Sequence, residues 1–307
     1  MDYYLSLILG FAAAAIGGEL FVRGAVGLAR SLRISAGIIG ATVAAFATSS
    51  PELTVSIVAA LDGAPQIALG DALGSNIVNV GLVLALALLV SRIPAERKSV
   101  GRNFWVAVLV PVITGVLILD GVLSRIDGFI LLGLFLVWLA ATLLSARKER
   151  RSAAEPSEKS NGWRAVIFSM LGLAFLILAG RLVVTGAKGL TATYGIDPFI
   201  AGATFVALGT SMPELATVVV SKLRGHDEIG LGTILGSNIF NGLHIVGWAA
   251  VISPFFLEWR EVIVSLIFGA VLVVAVYPAK NSYIGRWRGA VLLALYGAFI
   301  AAVVQYG

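Results

Sequence analysis

The chain has 307 residues, 59% hydrophobic and 13% charged, with a mean hydropathy of +0.97 and a formal net charge of +5. Soluble domains carry about 25% charged residues, so a soluble, disordered or fibrous protein is excluded. The absence of cysteine excludes a disulfide framework, a thiol redox centre and Cys-based metal sites. A membrane pass with its loop takes roughly 25–30 residues, which leaves room for about ten passes and no sizeable soluble domain.

The apolar runs predict ten spanning helices, at about 4–29, 36–60, 66–91, 103–123, 128–146, 163–190, 197–221, 229–253, 260–279 and 287–305. The first begins Met-Asp-Tyr-Tyr with no Lys or Arg before Arg23, so it reads as a retained helix and not as a cleavable signal. Between the fifth and sixth lies ARKERRSAAEPSEKSNG (Ala146–Gly162), whose charge, Ser and Pro content reads as a flexible connector. Trp105, Trp163, Trp259 and Trp287 fall near segment ends and read as interface anchors. Glu19 and Arg23, four apart, read as a local ion pair.

The basic residues lie between apolar segments and form no continuous patch, so nucleic acid is not the expected partner; the lipid bilayer is. With the N-terminus outside, 17 Lys and Arg fall in loops facing the cytoplasm and 3 in outside loops. That bias predicts both termini outside and a cytoplasmic connector.

The informative feature is an internal repeat. GATVAAFATSSPEL (Gly40–Leu53) matches GATFVALGTSMPEL (Gly202–Leu215) at 9 of 14 positions, with an offset of 162. LGDALGSNIVN (Leu69–Asn79) matches LGTILGSNIFN (Leu231–Asn241) at 8 of 11, with the same offset. More weakly, GELFVRGAVGL (Gly18–Leu28) aligns with GRLVVTGAKGL (Gly180–Leu190). Residues 1–146 and 163–307 then hold five spans each, joined by a connector over 147–162. An odd number of spans sends the second half into the membrane from the opposite side. The expected fold is therefore an all-α integral membrane protein, ten transmembrane helices in two inverted five-helix repeats. This is the plan of secondary transporters, with the substrate site where the repeats meet.

Glu52 and Glu214 lie inside apolar spans, where a carboxylate costs at least about 2.5–3.5 kcal/mol and marks function. Ala45, Thr48, Ser49 and Glu52 share one helical face, and Ala207, Thr210, Ser211 and Glu214 repeat it. In the following spans Ser75 and Asn79 are neighbours four apart, as are Ser237 and Asn241. These groups offer oxygen, which hard cations such as Ca²⁺ require. With no thiol and no histidine in either motif, a soft or transition-metal site is not expected. Pro51 and Pro213 have no N–H to donate to the carbonyls of Ala47 and Gly209, which frees backbone oxygens at membrane depth.

The segments ATSSPEL and GTSMPEL, followed by GSNIVN and GSNIFN, resemble the two alpha-repeats of the calcium/cation antiporter superfamily, and within it the sodium/calcium exchangers of prokaryotic type. The resemblance covers essentially the whole chain. It implies a central set of cation sites. Glu52 and Glu214 would be ligands shared by Ca²⁺ and Na⁺. Backbone oxygens near Ala45, Thr48, Ala207 and Thr210 would contribute. Ser49, Ser75, Ser211 and Ser237 would line outer Na⁺ sites, and Asn79 and Asn241 would face the middle. It also implies electrogenic exchange, commonly three Na⁺ for one Ca²⁺, in a prokaryotic cell membrane.

Three departures bear on that reading. Ala47 stands where a glycine is usual, and its methyl group narrows the pathway, whereas Gly209 keeps the glycine. Asn241 stands where potassium-dependent relatives carry aspartate, which argues against K⁺ dependence. The Thr-Ser form of the motif favours Na⁺ over the Gly-Asn form of proton/calcium exchangers. The connector is too short for the regulatory calcium-binding domains of eukaryotic relatives.

The alternatives are a proton-coupled exchanger of Ca²⁺ or another divalent ion and, from another class, a cation channel. No enzyme is expected: HExxH, a Cys nucleophile and Gly-x-Ser-x-Gly are all missing. No cofactor and no obligatory protein partner is evident. Asp71, whose counterpart is Thr233, reads as a solvated helix end or as a cation attractor at one entrance. His244 reads as a hydrogen-bonded packing residue.

Overall fold

The structure, a computed structural model, describes residues 2–31, 45–95, 97–150, 162–223, 227–278 and 283–306. The chain is mostly helical. In order, α1 is Tyr3–Ser31, α2 Ala45–Thr48, α3 Ser50–Leu61, α4 Pro65–Val78, α5 Ala85–Val90, α6 Arg97–Leu117 and α7 Arg125–Arg150. Then follow α8 Gly162–Tyr194, α9 Pro198–Ala201, α10 Ala207–Thr210, α11 Met212–Leu223, α12 Asp227–Ile239, α13 Val246–Ile252, α14 Trp259–Ala275 and α15 Trp287–Tyr306. Three π-helical turns carry the backbone from one helix into the next: Asn79–Leu84, Gly202–Val206 and Phe240–Ile245.

Among the described residues six helical stretches are long and apolar enough to cross a membrane: Tyr3–Phe21, Pro65–Val90, Arg125–Ser145, Gly162–Tyr194, Leu231–Ile252 and Trp287–Gln305. Four shorter apolar helices are Ser50–Leu61, Asn103–Leu117, Pro198–Thr210 and Val262–Ala275. Of the ten expected spans, six are thus clear by length and composition among the described residues, and the other four fall on the shorter helices. The shortening has local causes. The expected spans 36–60 and 197–221 are broken at Ser49 and Ser211, and residues 32–44 lie outside the described residues. The span expected over 103–123 stops at Leu117, and Gly121 takes a φ of 80°, which only glycine adopts freely. The span expected over 260–279 ends at Ala275. The connector expected from residue 147 begins inside α7, which runs to Arg150; residues 151–161 lie outside the described residues.

Burial sorts the helices. Most residues in the apolar stretches of Pro65–Val90 and Leu231–Ile252 are buried, and these helices form the centre, whereas most of those in Gly162–Tyr194 and Trp287–Gln305 are not, and these line the outside. Phe129, Leu136, Val137, Met170 and Val304 point outward, as lipid-facing side chains do. Trp163 and Trp287 are exposed at helix starts, and Trp259 opens α14.

Lipid supplies no hydrophobic drive between helices, so close packing of small residues must hold them together. Helices α1 and α8 show this. A Cβ on Gly10 would meet Val183, one on Gly17 would meet Leu176, and one on Gly24 would meet Ser169, each within 3.0 Å. The rising and falling numbers mean that the two helices run antiparallel. Two short strand pairs tie the first half to the second. β1 (Ile93–Pro94) pairs antiparallel with β4 (Tyr283–Ile284), and β2 (Val122–Leu123) with β3 (Phe255–Phe256). Likewise α5 packs on α15, α7 on α13 and α6 on α14.

Candidate cation site

The two proline motifs break their helices in the same way. Between α2 and α3, Ser49 leaves the helix at φ −84°, ψ 11°; between α10 and α11, Ser211 does so at φ −79°, ψ 10°. Proline is tolerated in the first turn of a helix, where its missing N–H is not needed. So Pro51 and Pro213 restart the helices, with Glu52 and Glu214 in their first turns. The breaks converge on α1: a Cβ on Gly18 would lie 3.3 Å from Pro213 Cγ and 3.7 Å from Pro51 Cγ.

Ser49 stands where a helix cap normally accepts a backbone N–H, but it makes no such bond. Its Oγ donates instead to Glu214 Oε1 at 3.2 Å, and Ser211 Oγ donates to Glu52 Oε1 at 3.2 Å. Each serine thus serves the glutamate of the other motif. Ser237 Oγ reaches Glu214 Oε1 at 3.4 Å, and Ser75 Oγ lies 3.4 Å from Thr210 Oγ1. Thr48, Ser49, Glu52, Ser75, Asn79, Ala207, Thr210, Ser211, Glu214, Ser237 and Asn241 are all buried. Ala45 opens α2, and the carbonyl of Ala207 accepts from Ser211 N at 3.1 Å. Asn79 and Asn241 lie in the π-helical turns, a distortion that often marks function. Asn79 Nδ2 donates to Asn238 Oδ1 at 3.2 Å, whereas the side-chain amide of Asn241 makes no hydrogen bond among the described residues.

The electrostatics are one-sided. Glu52 Oε2, Glu214 Oε2, Asn79 Oδ1 and Asn241 Oδ1 are buried with no hydrogen-bond partner among the described residues. Buried polar atoms almost always find partners, so a cluster of orphaned oxygens calls for one. Among the described residues no basic side chain pairs with either glutamate, and the one ion pair is exposed, Arg23 Nε to Glu19 Oε1 at 2.5 Å. Among the described residues, then, no salt bridge offsets the two buried acids. Buried carboxylate and amide oxygens with no basic partner are a donor set that suits a hard cation.

Two residues went unread in the sequence, and one of the two readings given to a third fails. Asn76 and Asn238, present in both GSN motifs, exchange reciprocal bonds: each Nδ2 donates to the other's backbone carbonyl at 3.1 Å. Their identity in the two copies was the available signal. Asp71 is the third. Its reading as a solvated helix end is corrected, because Asp71 is fully buried and accepts from Thr210 Oγ1 at 2.9 Å. His244 packs as expected, accepting from Trp248 Nε1 at 3.0 Å against the rings of Phe135 and Phe240.

The asparagine pair gives a testable asymmetry. Asn238→Ala removes the bond to Asn76 and also the acceptor of Asn79, whereas Asn76→Ala removes one fewer side-chain partner. Asn238→Ala is expected to destabilise the protein more, by about 1–2 kcal/mol. Denaturation midpoints of the two variants in detergent measure the difference.

The sodium/calcium exchanger family model matches residues 3–144 and 164–305. The chain belongs to the sodium/calcium exchanger family. It is 37% identical to the inner membrane protein YrbG of Escherichia coli, covering 81% of this chain and 79% of that protein. It is 26% identical to the sodium/calcium exchanger MaX1 of Methanosarcina acetivorans, covering 98% of each. Among solved structures it matches the sodium-calcium exchanger NCX_Mj with a TM-score of 0.69 and 32% identity, covering 97% of both chains. The chain is accordingly a membrane protein of an antiporter family whose members exchange Ca²⁺ for another cation. The two family-model segments together hold both proline motifs and both GSN motifs.

Proposed function

We propose that this chain is an electrogenic, K⁺-independent Na⁺/Ca²⁺ antiporter working by alternating access. Its ten membrane helices form two inverted repeats, 1–146 and 163–307, around a cytoplasmic connector at 147–162, with both termini outside. The transported ions bind among Glu52, Glu214, Thr48, Thr210, Ser49, Ser211, Ser75, Ser237, Asn79 and Asn241, with backbone oxygens of Ala45 and Ala207.

The observation that carries this reading is the crossed serine–glutamate pair, two buried acids with orphaned oxygens and no basic partner among the described residues. Two glutamates balance one Ca²⁺. An empty site leaves both charges buried, and exposing them to the low-dielectric barrier is costly. The carrier therefore switches when loaded and resists switching when empty, which enforces exchange. Three Na⁺ for one Ca²⁺, the stoichiometry implied by the family resemblance, moves one net charge per cycle. The constancy of the 162-residue offset, together with the matching breaks at Ser49 and Ser211, supports the two-repeat plan.

Ca²⁺ uptake into proteoliposomes tests the function. Vesicles preloaded with Na⁺ are expected to accumulate Ca²⁺, faster when the inside is held positive, because three Na⁺ leaving for each Ca²⁺ entering carry one net positive charge outward. Vesicles preloaded with K⁺ or given only a pH gradient are expected to stay at background. Uptake driven by the pH gradient alone makes the protein a proton/Ca²⁺ exchanger instead. Ohmic single-channel current makes it a channel.

A further inference from the structure

We propose that Asp71 is a third acidic cation ligand, which makes the Ser75–Thr210 side of the site bind the coupling ion more tightly than its pseudo-symmetric counterpart. The inference rests on the Na⁺/Ca²⁺ reading above and deepens it.

Asp71 breaks the repeat: the residue at the equivalent position, 162 further on, is Thr233. Its helix, α4, lies against the π-helical turn Gly202–Val206 at backbone distance. A Cβ on Gly202 would sit 2.4 Å from Ile67 O and 2.9 Å from Asp71 N, and a Cβ on Gly74 would sit 2.4 Å from Ala203 O. That approach, open only to glycine, delivers the Asp71 carboxylate to Thr210. The Thr210 hydroxyl donates to Asp71 Oδ1 at 2.9 Å, and the hydroxyl oxygen keeps its lone pairs for another partner. Ser75 Oγ stands 3.4 Å from the same Thr210 oxygen, and the carbonyl of Ala207 3.3 Å from it. Asp71 Oδ2 is buried and has no hydrogen-bond partner among the described residues. Around Thr210 Oγ1 thus lie a carboxylate oxygen, a second hydroxyl and the carbonyls of Ala207 and Val206, the latter at 3.2 Å, an oxygen-rich set suited to Na⁺ or another hard cation. On the opposite side a threonine replaces the acid, so the two outer positions differ in charge.

Asp71→Asn separates a ligand from a merely structural group. The amide keeps an oxygen to accept from Thr210 but loses the charge. Equilibrium binding of radiolabelled Na⁺ to the purified full-length protein reads the difference. The expected result is a half-saturating Na⁺ concentration raised about tenfold in Asp71→Asn, in line with affinity set by ligand charge. The exchanged pair Asp71→Thr with Thr233→Asp is expected to recover most of the loss. The single variant Thr233→Asp is expected to bind Na⁺ more tightly than the wild type, which keeps the idea testable if Asp71→Asn fails to fold. Equal Na⁺ binding by Asp71→Asn and the wild type overturns the Asp71 assignment alone. No Na⁺ binding by the wild type overturns both it and the Na⁺/Ca²⁺ reading.

Discussion

Glu214→Gln and Glu52→Gln are each expected to lower Ca²⁺ transport by about 100-fold or more while making the cation-free protein more stable. Glutamine keeps the length of the side chain and an oxygen able to accept from Ser49 or Ser211, so the crossed contacts survive. What disappears is one of two negative charges facing the transported ion. Affinity at oxygen sites follows ligand charge, and loss of even outer-shell partners costs 10- to 100-fold in affinity by general estimate, so losing a direct charged ligand should cost roughly as much or more. Stability should move the other way. A buried carboxylate without a counter-ion destabilises the protein that holds it, and the neutral amide relieves that cost. Ca²⁺ uptake by proteoliposomes and thermal unfolding of the cation-free protein read the two effects separately. A variant that loses transport and stability together would point to a structural role for the acid instead.

The second large effect is expected at Gly74. A Cβ there would lie 2.4 Å from the carbonyl oxygen of Ala203, 2.6 Å from its Cα and 2.7 Å from its carbonyl carbon. All three are backbone atoms, so relief requires α4 to move away from the π-helical turn. Overpacking of this kind costs about 1–3 kcal/mol. The movement would also part Ser75 and Asp71 from Thr210, the contacts that join the first half to the second here. Gly74→Ala is therefore expected to lower the unfolding temperature and to abolish tight cation binding. Gly133→Ala and Gly297→Ala are the controls. Both glycines lie within outer helices with no described neighbour within 4 Å of an added Cβ, and alanine favours a helix over glycine by about 1 kcal/mol. Those two variants should bind Ca²⁺ as the wild type does and unfold at the same temperature or higher.

Much of the candidate site is legible in the repeat. Glu52 and Glu214 stood out because a charge inside an apolar run is costly, and the doubling of Pro51 and Pro213 marked where the helices would break. What the repeat could not convey was anything that departs from it. Asp71 has no acidic counterpart, and one acid four residues from a serine looks like a helix surface until another helix covers it. The reciprocal bonds of Asn76 and Asn238 depend on how two helices cross, and hydropathy is silent on that. The π-helical turns were invisible for a different reason. One extra residue in a helical turn leaves an apolar run unchanged, so Asn79 and Asn241 were read on regular helices. Span ends were misread where apolar residues continue past the last helical turn, as between Leu117 and Leu123, where the chain turns and enters β2.

The central claim is that Ca²⁺ and the coupling ion occupy the same glutamate pair in turn. Equilibrium binding of radiolabelled Ca²⁺ to the purified protein, titrated with Na⁺ against K⁺ at constant ionic strength, tests it most directly. The account predicts that Na⁺ displaces all bound Ca²⁺, with a steepness that needs more than one Na⁺, while K⁺ leaves Ca²⁺ in place. Ca²⁺ that stays bound in Na⁺ as firmly as in K⁺ would contradict it.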